Sequence, residues 1–198
     1  MWRLPLFTIA WLIALLSGSA ILLTNQDASI QAFKGIFGQD APHLTQPLVA
    51  AKTDTSIPFI SGNPTRLVIE SLGIDLQVAP GTYDQNTKNW SLSLDKAHFA
   101  DVTAAPNNKG GNSFIYGHNR KGVLNSLPSI KMNQEVKVYS DNDLIFTYTF
   151  VGAVEVPPND TSIFNYQGEP ILTIQTCSGS FYQNRQLFTF TFKDVIKQ

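Results

Sequence analysis

From residue 64 onward the chain consists of short apolar or alternating runs, separated by glycine, proline, asparagine and aspartate. Alternation with a period of two is typical of β-strands, and these runs are rich in the β-branched and aromatic residues that strands favour. Helical periodicity is limited to single turns at 122–130 and near 162–166. The runs that predict strands are RLVIESL, IDLQVAP, WSLSL, NSFIYG, EVKVYS, DLIFTYTFVGAVEV, ILTIQTC and QLFTFTF.

Seven or eight strands at this spacing predict an all-β domain, either an antiparallel sandwich or a small closed barrel with one or two short helices. Asp141 and Asn142 separate two of the runs and predict a hairpin. Asp141 and Asp143 are too few ligands for calcium, so we interpret them as turn residues and expect no metal or cofactor.

The two last runs divide their residues between two faces. In QLFTFTF the three phenylalanines share one face, which we expect in the core. In ILTIQTC the more polar face carries Ile171, Thr173, Gln175 and Cys177. Cys177 stands at the strand end, before the small residues Ser-Gly-Ser, where we expect a side chain to be more accessible than in mid-strand.

An uncharged and mostly apolar run, Leu4 to Thr24, lies near the start of the chain. Its length is close to the ~20 residues with which a helix spans a bilayer. A secretory signal peptide is the alternative, because residues 17–20 read Ser-Gly-Ser-Ala, but the apolar part of such signals has only about 7 to 15 residues. Arg3 precedes the run and Asp27 follows it, so the positive-inside rule predicts a cytoplasmic N-terminus and an extracellular remainder.

The chain is therefore predicted to have three parts. Residues 1–24 form a cytoplasmic tip and transmembrane anchor, residues 25–63 an extracellular linker rich in Gln, Thr, Ser, Ala and Pro, and residues 64–198 one β-domain. The 198 residues carry a formal net charge of −1 and no basic run, which argues against a nucleic-acid partner.

The single cysteine, Cys177, raises the question of what chemistry the chain carries. One thiol cannot form an intramolecular disulfide, which leaves an inert buried residue, an intermolecular bridge or a reactive nucleophile. A nucleophilic thiol needs a partner that takes and returns a proton, and histidine is the usual one.

Three histidines are available as partners. His43 lies in the linker and is interpreted as solvated, and His98 follows WSLSLDKA in a region interpreted as a loop. His118 ends the apolar run NSFIYGH, after a glycine that lets another segment approach closely, so it is the preferred partner. Arg185 begins a strand that would pair beside the Cys177 strand, where it would supply donors to a developing oxyanion.

Together these features resemble the sortases, a family of membrane-anchored cysteine transpeptidases. The resemblance covers about residues 64–195. It is carried by the anchor, the Gly-His strand end, the strand Thr173-Ile174-Gln175-Thr176-Cys177, the downstream Arg185, and the opening Arg66-Leu67-Val68-Ile69 with Leu72-Gly73-Ile74.

The resemblance implies an eight-stranded sortase β-barrel whose groove binds an LPXTG-like sorting signal of an exported protein. It implies that Cys177 attacks the carbonyl after the signal's threonine and forms a thioacyl enzyme. His118 would protonate the departing amine and then deprotonate the incoming one, and Arg185 would hold the substrate backbone and the oxyanion. Thr176 would line the same site, and His98 is assigned with it to substrate binding. The product would be an amide to an amino group of peptidoglycan or its precursor.

The connection between the last two predicted strands is short, since Arg185 follows Cys177 by eight residues. This resembles the smaller sortase classes, and the linker contains no Asp-Pro-aromatic lid, so anchoring of single proteins is favoured over pilus polymerisation.

Two other readings compete. Peptidoglycan-crosslinking cysteine transpeptidases carry Gly before the cysteine and Arg two residues after it, a pattern that Thr176 and Ser178-Gly179 do not match. An anchored, non-catalytic β-sandwich adhesin or binding module explains the anchor, linker and strands equally well, but makes the Cys, His and Arg combination a coincidence.

Overall fold

The computed structural model describes residues 58–87 and 89–198, and within them no helix is long and apolar enough to cross a membrane. The predicted membrane helix, His43 and most of the linker lie outside these residues. The strands are β1 (Pro64–Ile69), β2 (Ile74–Gly81), β3 (Tyr83–Asp84), β4 (Asn89–Trp90), β5 (Ala97–Ala100), β6 (Asn112–Tyr116), β7 (Glu135–Ser140), β8 (Leu144–Val156), β9 (Ile171–Ser178) and β10 (Asn184–Lys197).

Eight of these strands close into a barrel in the order β1-β2-β5-β6-β9-β10-β8-β7, with β7 pairing back onto β1. The predicted closed barrel is therefore confirmed, while the alternative of a purely antiparallel sandwich is wrong. Two neighbouring pairs, β2 with β5 and β6 with β9, run parallel. Parallel neighbours require long crossover connections, and here the chain between β2 and β5 carries the small β3–β4 hairpin.

Three 3-10 turns complete the described part, at Glu70–Leu72, Leu127–Ser129 and Ser162–Asn165. The last two lie where the sequence predicts helical turns. The first turns the corner between β1 and β2 and ends at Gly73, whose φ of 62° favours glycine. The predicted hairpin is also confirmed, because β7 and β8 pair directly around Asp141 and Asn142.

The barrel interior is filled by the apolar residues that the period-two alternation predicts to face inward. Phe188 and Phe190 are 1% and 0% exposed, and Phe192 packs against the same cluster from its edge. On β9 the inward residues are Leu172 and Ile174, both fully buried. The face that carries Cys177 is therefore the outer face of the barrel, as the alternation predicts.

A second apolar layer covers part of that outer face. It is formed by Ala100, Phe114, Tyr116, Ile163, Ile171 and Leu187, with Trp90 and Phe164 packed against it. Trp90 makes edge contacts with the rings of Phe164 and Tyr116, at centroid distances of 5.8 and 5.7 Å. The hairpin and the Ser162–Asn165 turn thus meet over the sheet on which the thiol lies.

One stretch differs from its prediction. His98 lies in strand β5 and not in a loop, whereas most of WSLSL lies outside any strand, since pairing stops at Trp90. Beyond Trp90, within the described residues, only Ser91 still bonds to the facing chain, at Thr82. The other bonds of this stretch go to side chains of the barrel: the Tyr116 hydroxyl donates to the Ser91 carbonyl, and Ser93 donates to His98.

Candidate active site

Cys177 is the next-to-last residue of β9, between β6 on one side and β10 on the other. It is a free, half-buried thiol on the outer face of the barrel. Since β9 ends one residue later, the thiol stands at the rim of the sheet, where the chain turns through Gly179 with φ at 82°. The sequence prediction of an accessible strand-end thiol agrees with this position.

His118 reaches the same rim through the parallel pairing of β6 and β9. The last paired residues are Tyr116 and Gln175, and the Gly117 N–H still donates to the Gln175 carbonyl at 3.1 Å. Two residues further along each chain stand His118 and Cys177. The structure therefore brings the preferred histidine to the level of the thiol.

Three further hydrogen bonds fix the chain at the ends of β6 and β9. The Thr176 hydroxyl donates to the Gly117 carbonyl at 3.1 Å, and the Asn119 amide donates to the Cys177 carbonyl at 2.9 Å. The His118 carbonyl accepts from the Leu124 N–H at 3.1 Å, which turns the chain back over Gly117. A Cβ on Gly117 would lie 3.0 Å from Leu124 Cδ1, so the close approach expected after NSFIY is present.

Arg185 lies directly opposite Cys177 in the antiparallel ladder of β9 and β10. Directly opposed residues project to the same face with Cβ atoms roughly 4.5–5.5 Å apart, so the guanidinium extends from the thiol's immediate neighbour. Its Nη1 donates to the carbonyls of Tyr182 and Asn184, each at 3.0 Å. Among the described residues, no acceptor is bonded to Nε or Nη2, which leaves donors for another group.

A cleft of about 310 Å³ opens beside these residues, and both Cys177 and Arg185 line it. Its base is formed by Phe114, Tyr116, Gly117 and Gln175, one wall by Asn89, Trp90 and Leu92, and the other by Pro158, Asp160, Thr161 and Phe164. His118 is half-buried and is not among the described residues that line the cleft. Burial raises the pKa of Tyr116 and Asp101 adds to the effect, while the bond to Ser91 opposes it, so the hydroxyl stays protonated and donates.

Thr176 is fully buried on the inward face, so its described contact is with the barrel and not with the cleft. His98 is 4% exposed and stacks on Tyr116 with ring centroids 5.6 Å apart. Neither is among the described residues that line the cleft, and their expected part in substrate binding stays a prediction.

Several contributors to the site carry no signal in the sequence. Trp90 and Leu92 come from a segment that reads as a strand, and Asn119 is a single polar residue after the preferred histidine. A second depression of about 360 Å³, between residues 102–104, 109–112 and 166–168, contains none of the predicted site residues.

Comparison with known proteins gives a family match for the barrel. The model of the Sortase domain matches residues 67–190. Sortase A of Bacillus anthracis is 26% identical over 143 residues, which cover 70% of this chain and 62% of the relative, so the chain spans less than two thirds of that relative's length.

Solved structures give the same fold. Listeria monocytogenes sortase A superposes with a TM-score of 0.56 at 16% identity, covering 70% of this chain and 92% of that one. Sortase E1 from Streptomyces coelicolor, solved with a tripeptide in its active site, gives a TM-score of 0.54 at 18% identity and covers 69% and 91%. With a family model that spans most of the barrel and a fold that these structures share, the chain belongs to the sortase family.

Proposed function

We propose that this chain is a cysteine transpeptidase that cleaves an LPXTG-like sorting signal and transfers the protein to an amine of the cell wall. The observation that carries the proposal is the meeting of three strand ends: Cys177 opposite Arg185 in one ladder, and His118 two residues beyond the last β6–β9 pair. Family membership supports the class of reaction, since sortases are cysteine transpeptidases.

In the proposed acylation, the Cys177 sulfur attacks the carbonyl carbon that follows the signal's threonine, and the carbonyl oxygen becomes an oxyanion. His118 then gives a proton to the departing amine as the carbon–nitrogen bond breaks, and a thioester remains on the sulfur. In the second half-reaction, His118 takes a proton from the incoming amine, which attacks the thioester and releases the thiolate. The result is a new amide with no net oxidation.

Arg185 supplies the positive charge that complements the developing oxyanion. The free donors of its guanidinium, one residue across the ladder from the sulfur, suit an oxyanion or a substrate carbonyl. The bonds from Nη1 to the carbonyls of Tyr182 and Asn184 hold the guanidinium in place, so the free donors need little reorganisation when the substrate arrives. Exclusion of water from the thioester would favour transfer over hydrolysis.

The cleft sets the substrate class that we propose. Its aromatic and aliphatic walls, Trp90, Leu92 and Phe164, suit the apolar side chains of a short extended segment, and Gln175 and Asp160 offer polar contacts. The Streptomyces coelicolor relative holds a tripeptide in its active site, which supports a peptide ligand. Sortases are in general membrane-anchored and extracellular, and we propose the same for this chain, through residues 4–24.

Intact-mass spectrometry of the purified protein with LPXTG-like peptides, with and without an amine acceptor, tests the proposal. We expect an adduct on Cys177 that disappears when amine is added, with ligated peptide as product. The matched control is Cys177→Ala, which should show no adduct in a folded barrel. If no peptide gives an adduct and the thiol also resists small alkylating reagents, the function is not catalytic and the binding-module alternative is favoured.

A further inference from the structure

His98 is a buried histidine that the proposed reaction does not use. Its Nε2 lies 2.8 Å from the backbone nitrogen of Ser93 and 2.7 Å from the Ser93 hydroxyl, and its Nδ1 lies 3.3 Å from the Pro80 carbonyl. A backbone N–H can only donate and a carbonyl can only accept. These partners therefore assign the neutral tautomer, in which Nδ1 carries the proton and Nε2 accepts from Ser93.

The segment that His98 holds is residues 89–93, called the cleft strap below. It leaves the β3–β4 hairpin, and its central residue Ser91 accepts a hydrogen bond from the Tyr116 hydroxyl at 2.7 Å. Tyr116 in turn stacks on the His98 ring at an interplanar angle of 26°. The strap is thus bonded at its centre to Tyr116 and Thr82 and at its last residue to His98.

Three residues of the strap, Asn89, Trp90 and Leu92, line the cleft. Trp90 and Leu92 are the apolar ones, and Leu92 is 45% exposed, a large apolar side chain left uncovered. Ser93 follows Leu92 directly, so the two bonds to His98 Nε2 fix the backbone at the residue next to this apolar wall. Among the described residues, no other hydrogen bond holds the strap beyond Ser91.

We propose that His98 is a positioning residue for the transpeptidation: through Ser93 it fixes the cleft strap, so that Leu92 and Trp90 form a preorganised apolar wall for the sorting signal. The inference rests on the proposed function and adds a residue that never touches the substrate. Preorganisation of a binding wall lowers the entropy that the ligand must otherwise remove, and so acts on binding and not on the chemical step. We therefore expect loss of the His98 bonds to change KM, whereas kcat is determined by Cys177 and its partners.

The test uses three variants and one control in the full chain. Ser93→Ala removes the hydroxyl bond at a partly exposed position, and His98→Leu removes the acceptor while keeping an apolar side chain of similar bulk. His98→Gln restores an acceptor oxygen toward Ser93. Leu94→Ala is the control, because Leu94 is 66% exposed, lies one residue beyond Ser93 and is not among the described residues that line the cleft.

With an LPXTG-like peptide and an amine acceptor, we expect KM to rise about 5- to 10-fold in His98→Leu and about 3-fold in Ser93→Ala, the size expected for lost neutral hydrogen bonds. We expect kcat and the rate of Cys177 alkylation to stay within about twofold of the parent, His98→Gln to recover most of the KM, and Leu94→Ala to match the parent. Equal losses of kcat and alkylation, an unchanged KM in folded His98→Leu, or no recovery in His98→Gln would overturn the proposal.

Two readouts do not depend on activity. Nitrogen-15 chemical shifts should show protonated Nδ1 and unprotonated Nε2 in His98, and hydrogen exchange of the Ser93 amide should be faster in His98→Leu than in Leu94→Ala. Protonated Nε2, or equal exchange, would remove the structural basis of the inference. If the parent chain forms no thioacyl adduct with any peptide, the proposed function and the substrate role of the strap both fall, while these readouts still decide whether His98 holds it.

Discussion

Replacing Thr176 by valine tests how the barrel holds His118 beside Cys177. Thr176 precedes the cysteine and Gly117 precedes the histidine, and the hydroxyl of the first donates to the carbonyl of the second at 3.1 Å. The side chain is fully buried. This bond therefore joins the two strand ends at the residues immediately before Cys177 and His118.

The expected loss of stability follows from that single bond. Valine keeps nearly the same shape, so packing changes little, but one buried neutral hydrogen bond is lost and the Gly117 carbonyl loses this donor, which costs about 1–2 kcal/mol. For a domain of this size the loss lowers Tm by about 5 °C. The expected loss of activity is larger in relative terms, because a catalytic group that shifts by about 1 Å can cost about 100-fold in rate.

Thr176→Ser separates the two effects. Serine keeps the hydroxyl and loses only a buried methyl group, which costs about 1 kcal/mol, so both variants should be destabilised by similar amounts. Steady-state kinetics with a peptide that carries a fluorophore and a quencher, together with thermal unfolding, measure both quantities. We expect kcat to fall about 10- to 100-fold in the valine variant and to remain near the parent value in the serine variant. A valine variant with parental kcat, or a serine variant as slow as valine, would refute the reasoning.

Further predictions concern the nucleophile, the cation, the core and alkaline stability. Cys177→Ala should abolish adduct formation with an unchanged circular dichroism spectrum. Arg185→Lys should lower kcat by about 100-fold, because lysine lacks the planar guanidinium, which keeps donors free while its Nη1 binds the Tyr182 carbonyl. Activity near the parent level in either variant would contradict the proposed roles. Phe190→Ala should lower the free energy of unfolding by about 3–5 kcal/mol, since Phe190 is 0% exposed, whereas Phe181→Ala at 89% exposure should change it by less than about 0.5 kcal/mol in denaturant titrations. Burial raises the pKa of Tyr148 far above its ordinary value, so at alkaline pH the folded state keeps a proton that the unfolded state loses. The free energy of unfolding should therefore be level below about pH 9 and fall above about pH 10 by about 1.4 kcal/mol per pH unit. The slope should be smaller in Tyr148→Phe.

The two last strands could be predicted from the sequence because their faces differ in polarity. The period of two sorts Phe188 and Phe190 inward and Cys177 outward, and the structure has the same division. Strand β5 was missed for the opposite reason: its four residues are all buried, so no alternation marks it. The preceding serines alternate with apolar residues and predict a strand, but the structure uses Ser91 and Ser93 as bonding partners of Tyr116 and His98.

Some contacts of the candidate site join strands that are neighbours in the chain, and others join strands that are far apart in it. The pairing of Cys177 with Arg185 could be expected, because a short connection between neighbouring strands places their ends side by side. The position of His118 depends on the parallel pairing of β6 with β9, strands that are far apart in the chain, and only its strand-end location pointed to it. The attachment of the cleft strap could not be predicted. It depends on hydrogen bonds that join Ser91 and Ser93 to Tyr116 and His98, side chains on other strands.

The direction of the strands explains the order in which the three proposed catalytic residues appear in the chain. Strands β6 and β9 are parallel, so their carboxyl ends meet at one rim, and His118 and Cys177 are both found at or just beyond such an end. Strand β10 is antiparallel to β9, so the same rim holds its beginning, and Arg185 is its second residue.

The same geometry makes the register of β9 critical. A slip by one residue against β6 would turn Cys177 into the apolar interior and expose Thr176 in its place. Two hydrogen bonds join the chain after β6 to β9, and such a slip would break both. They run from Thr176 to the Gly117 carbonyl and from Asn119 to the Cys177 carbonyl. Hydrogen bonds that would otherwise serve only stability therefore also determine which side chain reaches the cleft.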